Sequence, residues 1–148
     1  METRRFDVAV IGGSLGGVQA ARAAATHGMR VYMCESTDWI GGQLTSQAVP
    51  PDEHPWIEQQ GAPRSYLEYR AAVRSAYRND PSASSLMREQ DTFCPGKSWV
   101  SRLAHDPRLA LRLLTGSIAP YVAAGLIIVE TKTRCIEAEV SGDRILSV

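Results

Sequence analysis

The chain has 148 residues, and its 16 basic side chains balance 16 acidic ones. That length suits one domain with a real hydrophobic core. Zero net charge leaves no global field to draw it to nucleic acid or an anionic membrane, and no apolar run is long enough to span a bilayer.

The first residues, METRRFDVAVIGG, faintly imitate a secretion signal. Their apolar run is too short, carries Asp7 and is consumed by a strand, so a cytoplasmic protein is expected. From residue 7 the sequence reads DVAVIGGSLGGVQAARAAATHGMRVYMCE. An apolar run, Val8 to Ile11, breaks into a glycine-rich turn. A helix crowded with small residues follows (Ala20, Ala21, Ala23, Ala24, Ala25), and His27-Gly28 stops it. A second apolar run, Val31 to Cys34, ends on Glu35.

This is the layout of a strand, a phosphate-binding turn, a helix and a strand closed by a carboxylate. Gly12 lets the chain turn off the strand, and Gly17 lets the helix press on the sheet. Ser14 holds the middle slot of the G-x-G-x-x-G pattern, where a small side chain still admits a diphosphate and its hydroxyl could donate to it. Gly13 and Gly16 add freedom around it. The N–H groups at the helix start face the diphosphate, favoured by the helix dipole. Glu35 suits ribose hydroxyls, and its charge would repel a 2′-phosphate.

The next residues, STDWIGGQLTSQAVPP, place a second glycine doublet, Gly41-Gly42, shortly after the carboxylate. Here the chain resembles the flavoproteins with a glutathione-reductase-like FAD domain, and more narrowly their FAD-dependent oxidoreductase branch. The likeness is strong from Phe6 to about Pro55, and weaker over Trp99 to Leu114 and Leu126 to Val148. It implies an α/β fold: a Rossmann-type parallel sheet with helices on both faces, plus the start of a β-meander. It implies FAD as cofactor, with the doublet letting the backbone pass the diphosphate. It implies contacts from Gly12, Gly13, Ser14, Gly16, Gly17, Glu35, Ser36, Gly41, Gly42, Gln43 and Thr45. Gln43, Thr45 and Ser46 would hydrogen-bond the isoalloxazine ring or the ribityl chain, or else only stabilise their own turn, and the backbone near Cys135 would touch adenine.

Asp38 to Ala62 reads as an irregular segment rich in glycine, proline and polar residues. His54 within it could serve as an acid or base, but reads rather as a loop-stabilising or surface residue. Trp56 and Trp99 suit a pocket wall or ordinary packing. From Pro63 a helix is expected: Tyr66, Tyr69, Val73 and Tyr77 recur at helical spacing, and Asn79-Asp80-Pro81 stops it. Arg70, Arg74 and Arg78 form a basic stripe, read as a solvated face rather than a site for an anion. Ser82 to Ser98 reads as a loop or flap. Asp106-Pro107 opens a further helix as N-cap and N1, and Pro120 is expected to bend or split it. Leu126 to Glu130 suits a third parallel strand. Thr133 to Val140 and Arg144 to Val148 then flank the turn signal Ser141-Gly142-Asp143.

Cys34, Cys94 and Cys135 form no Cys-x-x-Cys pair, so neither a redox disulfide nor a zinc site is expected. Cys34 reads as a buried small hydrophobe and Cys94 as the candidate reactive thiol. In the family the FAD domain is discontinuous, and a later segment binds the ribityl chain and pyrophosphate. Residues 1–148 are thus expected to be the N-terminal part of an incomplete FAD-binding domain, with an insertion at about 38–124. Either a piece of a longer flavoenzyme or a truncated relative fits, with sheet edges open to self-association as a homo-oligomer. The partner expected is a small-molecule substrate, and no residue is assigned a catalytic role. Three functions remain open: an FAD-dependent oxidoreductase, an NAD(P)-binding dehydrogenase or reductase, and a non-catalytic nucleotide-binding module.

Overall fold

A computed structural model describes residues 4–54, 56–89 and 105–148. Three parallel strands form the described sheet: β1 (Val8–Ile11), β2 (Val31–Cys34) and β3 (Ile127–Glu130), with β2 central. Val8 pairs with Val31 and Val31 with Ile127, so the strands run in step. Helix α1 (Leu15–Thr26) links β1 to β2, and α4 (Pro107–Ala123) leads into β3.

Strand order running one way, combined with right-handed crossovers, puts both connecting helices on one face. Helices α1 and α4 do pack together, and both touch the sheet. The expected helices on both faces therefore narrow, among the described residues, to one face. Val18, Ala21 and Ala25 of α1 meet Val31, Met33 and Ile127 of the strands and Leu114 and Ile118 of α4. Alanine on the α1 face brings the two helices close. Period-two alternation sends Ile11, Tyr32 and Cys34 to the other face, where they line a cavity with residues 133–137.

Helix α2 (Arg64–Arg78) packs outside α4 and contributes Tyr69 and Val73 to the core. Its start after Pro63 and its stop at Asn79 are where the sequence put them. A short α3 (Ser85–Glu89) occupies part of the stretch expected to be a loop. Cys94 and Trp99 lie outside the described residues.

Asp106 caps α4 through Oδ1, which accepts from Arg108 N at 2.8 Å, and Pro107 follows in the first turn. Pro120 does not split the helix: α4 runs through it to Ala123. Pro120 has no N–H to donate to the carbonyl four residues back, and α4 continues for only three residues beyond it. Gly125, at φ +71°, ends the helix.

The first expected C-terminal strand is shorter than its apolar run. Only β4 (Glu139–Ser141) pairs with β5 (Arg144–Ser147), antiparallel across Gly142 at φ +62°. Thr133 instead bonds back to the end of β2, its N–H donating to Glu35 O at 2.9 Å. Val140, Ile145 and Leu146 of the hairpin are exposed. Among the described residues no helix is long and apolar enough to cross a membrane.

Candidate functional site

The glycine-rich turn sits at the carboxyl end of β1, the usual position for ligands in open parallel sheets. Gly12 takes φ +104°, which L side chains rarely adopt. Gly17 is required by space: a Cβ there would stand 2.0 Å from Gly12 O and 3.3 Å from Val10 Cγ1. The helix thus presses on the strand as the spacing implied. Ser14 is the N-cap of α1, and its Oγ accepts from Gly17 N at 3.3 Å. The hydroxyl proton is left to donate outward. Among the described residues the exposed amide of Gly16 meets no acceptor.

Gly13 does a job that sequence reasoning missed. Its amide donates to Glu35 Oε2 at 3.0 Å, and a Cβ on it would lie 3.1 Å from Glu35 Cβ. The carboxylate is therefore tucked under the turn, at 7% exposure. Its other oxygen accepts from Thr37 N at 2.8 Å and Ser36 Oγ at 3.2 Å. Burial alone would raise the Glu35 carboxyl, but the bonds from Thr37, Gly13 and Ser36 outweigh it and hold it below the usual carboxylate range. Glu35 is thus ionised near neutral pH. The available signal was the Gly12-Gly13 pair itself, since a turn needs only the first.

The second doublet docks on this turn. Gly41 N donates to Gly13 O at 2.6 Å, and Ser14 and Gly41 form a parallel bridge. Gly41 has φ +108° and Gly42 φ +53°. A Cβ on Gly41 would meet Thr45 Cγ2 at 2.5 Å, and one on Gly42 would meet Ser14 Cα at 3.3 Å. Both glycines are demanded by conformation and by space. Two motifs separated by a whole helix and strand are joined into one backbone surface.

Beyond the doublet, Gln43 is exposed and Thr45 is buried. The Thr45 hydroxyl donates to Ile40 O at 2.7 Å, so it secures its own turn. Ser46 Oγ likewise donates to Gly42 O at 3.2 Å. His54 is exposed and accepts from Trp56 N through Nδ1 at 3.2 Å, which stabilises its loop. His105 is pushed down by burial against the rise that Asp106 causes, and it precedes the α4 cap.

Cys135, whose backbone the resemblance sets beside adenine, stands in the stretch after β3. It lines a cavity of about 580 Å³ with Ile11, Tyr32, Cys34, Thr133 and Ile136, at the carboxyl ends of β1 and β2. Its Sγ donates to Glu137 O at 3.3 Å. Tyr32 in that wall donates to Glu130 Oε2 at 2.8 Å, and burial followed by that bond pushes it up to about 12.

The arginine stripe on α2 corrects the sequence reading. Arg70 is not solvated but 1% exposed, ion-paired with Glu53 and Glu58. Arg74 reaches Glu58 as well. Periodicity along one helix cannot reveal carboxylates that arrive from an irregular segment.

Comparison with known proteins places this arrangement. Residues 7–148 match the family model described as FAD dependent oxidoreductase. An N,N-dimethylglycine/sarcosine dehydrogenase of Chromohalobacter salexigens is 50% identical over 44 residues, 30% of this chain and 6% of that protein. A glutathione reductase of Schizosaccharomyces pombe is 34% identical over 73 residues, 42% of this chain and 16% of that protein. Both matches span a small part of the relative's length. A solved structure titled as an oxidized steroid monooxygenase bound to NADP aligns with a TM-score of 0.38 and 18% identity, covering 84% of this chain and 19% of its own. By the match over residues 7–148, the chain belongs to the FAD dependent oxidoreductase family.

Proposed function

We propose that this chain is the N-terminal, FAD-binding portion of a flavoprotein oxidoreductase acting on a small molecule. In this reading residues 38–124 are an insertion between the second and third strands. The observation that carries it is the docking of Gly41-Gly42 on Gly13 and Ser14. A fingerprint turn alone suits any dinucleotide, whereas a second doublet bonded to it suits the FAD family.

The residues fit the cofactor. The Gly16 amide and the Ser14 hydroxyl proton are directed to the diphosphate at the positive end of α1. Gly41 and Gly42 let the second loop seat against Gly13 and Ser14, and the backbone surface formed there would lie beside the diphosphate. The cavity beside Cys135 would hold adenine. A carboxylate offers about four lone-pair positions. Three are taken on Glu35, so its Oε2 accepts a single ribose hydroxyl. Its buried charge disfavours a 2′-phosphate, and hence NADP, at this site.

The flavin, once bound, supplies the redox chemistry, and the protein supplies binding, orientation and electrostatics. Gln43 is positioned next along the chain toward the ring end of the cofactor, while Thr45 acts by fixing the turn. The test is the visible spectrum of the purified full-length protein, with titrations of FAD, ADP and NAD(P)H. A yellow protein whose FAD is displaced by ADP supports the reading. A colourless protein that takes up a nicotinamide cofactor and never flavin overturns it.

A further inference from the structure

Arg70 heads the fully buried side chains, yet it lies on α2, away from the glycine turn. Its guanidinium meets Glu53 through Nη1, and Glu58 through Nε at 3.0 Å and Nη2 at 2.9 Å. Tyr66, one turn earlier, donates to the other oxygen of Glu53, and Arg74, one turn later, donates to Glu58. The Glu53 side chain is only 4% exposed. A buried ion pair adds little stability over apolar packing, because desolvation offsets the attraction. What the planar fork fixes is geometry.

A short, stiff path runs from this clasp to the doublet. Glu53 follows Pro50-Pro51, whose φ angles are locked by their rings. Before them the chain folds back on the doublet: Val49 N donates to Gln43 O at 2.9 Å, Ala48 N to Thr45 O at 3.1 Å, and Gln47 N to Gly42 O at 3.3 Å. Ala48 is held at φ +53°, a conformation that persists only where the surroundings over-determine it. The loop is thus tied at one end to the glycine turn and at the other to α2.

We infer that Arg70 is a positioning residue that, through Glu53, holds residues 43–49 in the pose that receives the part of the cofactor beyond its diphosphate. This rests on the FAD reading above. The ADP half of the site owes nothing to the clasp, so the two halves separate experimentally.

The test uses the full-length protein carrying Arg70→Met with Glu53→Gln, a pair that leaves no buried ion unpaired, and alongside it Arg70→Lys. Affinities for ADP and for FAD are measured, with the visible circular dichroism of bound flavin. ADP affinity stays within about twofold of wild type, as for a distant site. FAD affinity falls about tenfold, the cost of ordering one or two freed side chains. The flavin dichroism changes, and Arg70→Lys falls between. Unchanged FAD affinity and dichroism in the double variant overturn the inference, and so does equal loss of ADP and FAD. A wild-type protein that binds no FAD strikes the underlying functional reading instead, and is seen without any substitution.

Discussion

Replacing Glu35 by glutamine isolates one charge beneath the turn. The carboxylate accepts from Gly13 N at 3.0 Å, Thr37 N at 2.8 Å and Ser36 Oγ at 3.2 Å. Glutamine keeps the length and one acceptor, but its nitrogen is a donor. Turned one way, that nitrogen faces the N–H of Gly13; turned the other, it faces the N–H of Thr37. Either way a backbone donor loses its acceptor. Hydrogen bonds to charged groups contribute about 1.5–3 kcal/mol each, so the variant is expected to lose about 2 kcal/mol near neutral pH. The loss carries a pH signature. The folded carboxyl titrates below its ordinary 4.5, because the hydrogen bonds to it outweigh the opposing effect of burial. The stabilisation is therefore complete above that ordinary value and is lost as pH falls through the lower folded value. Glutamine does not titrate, so the gap between the two proteins is constant above pH 4.5 and narrows below it. Urea unfolding across that range, with slopes compared, measures it. Equal stability near neutrality, or a gap that persists undiminished in acid, would refute the placement of this charge.

Other substitutions probe the same geometry. Gly17→Ala puts a Cβ 2.0 Å from Gly12 O, so α1 must lift off the strand; overpacking of this kind costs about 1–3 kcal/mol. FAD should be lost with it, and a variant of wild-type stability and affinity by thermal melting and flavin fluorescence would count against the turn as described. Gly12→Val, at φ +104°, should abolish FAD binding, and a stoichiometrically yellow variant would contradict that. Asp106→Ala removes the cap on Arg108 N and should cost about 1 kcal/mol while leaving FAD affinity unchanged. Weakened FAD binding in that variant would show that loss of the cap reaches the doublet through Leu114 of α4, whose Cδ1 would stand 2.9 Å from a Cβ on Gly41.

What was legible in the sequence is what local chemistry dictates. The turn at Gly12, the packing glycine at 17 and the acid at 35 follow from spacing along one strand–helix–strand unit. The cap at Asp106 and the stop after Tyr77 are local signals too. Family resemblance pointed to Gly41-Gly42 as part of the cofactor site, but not to its docking on Gly13, where two backbone surfaces bond. What stayed hidden depends on partners distant along the chain. Arg70 looked solvated because its carboxylates, Glu53 and Glu58, stand in a segment without periodicity. Thr45 suited a cofactor donor and a turn-stabilising residue equally well because its acceptor, Ile40 O, is invisible before the turn closes. Pro120 looked like a bend or a break because its position within the final turn depends on where α4 ends.

The central claim is the placement of the adenosine diphosphate, and a crystal structure of the full-length protein with FAD or ADP tests it most directly. The account predicts diphosphate oxygens on the amide of Gly16 and the hydroxyl of Ser14, one ribose hydroxyl on Glu35 Oε2, and adenine beside Cys135. A nucleotide seated elsewhere, or a turn packed shut against its own side chains, would contradict it.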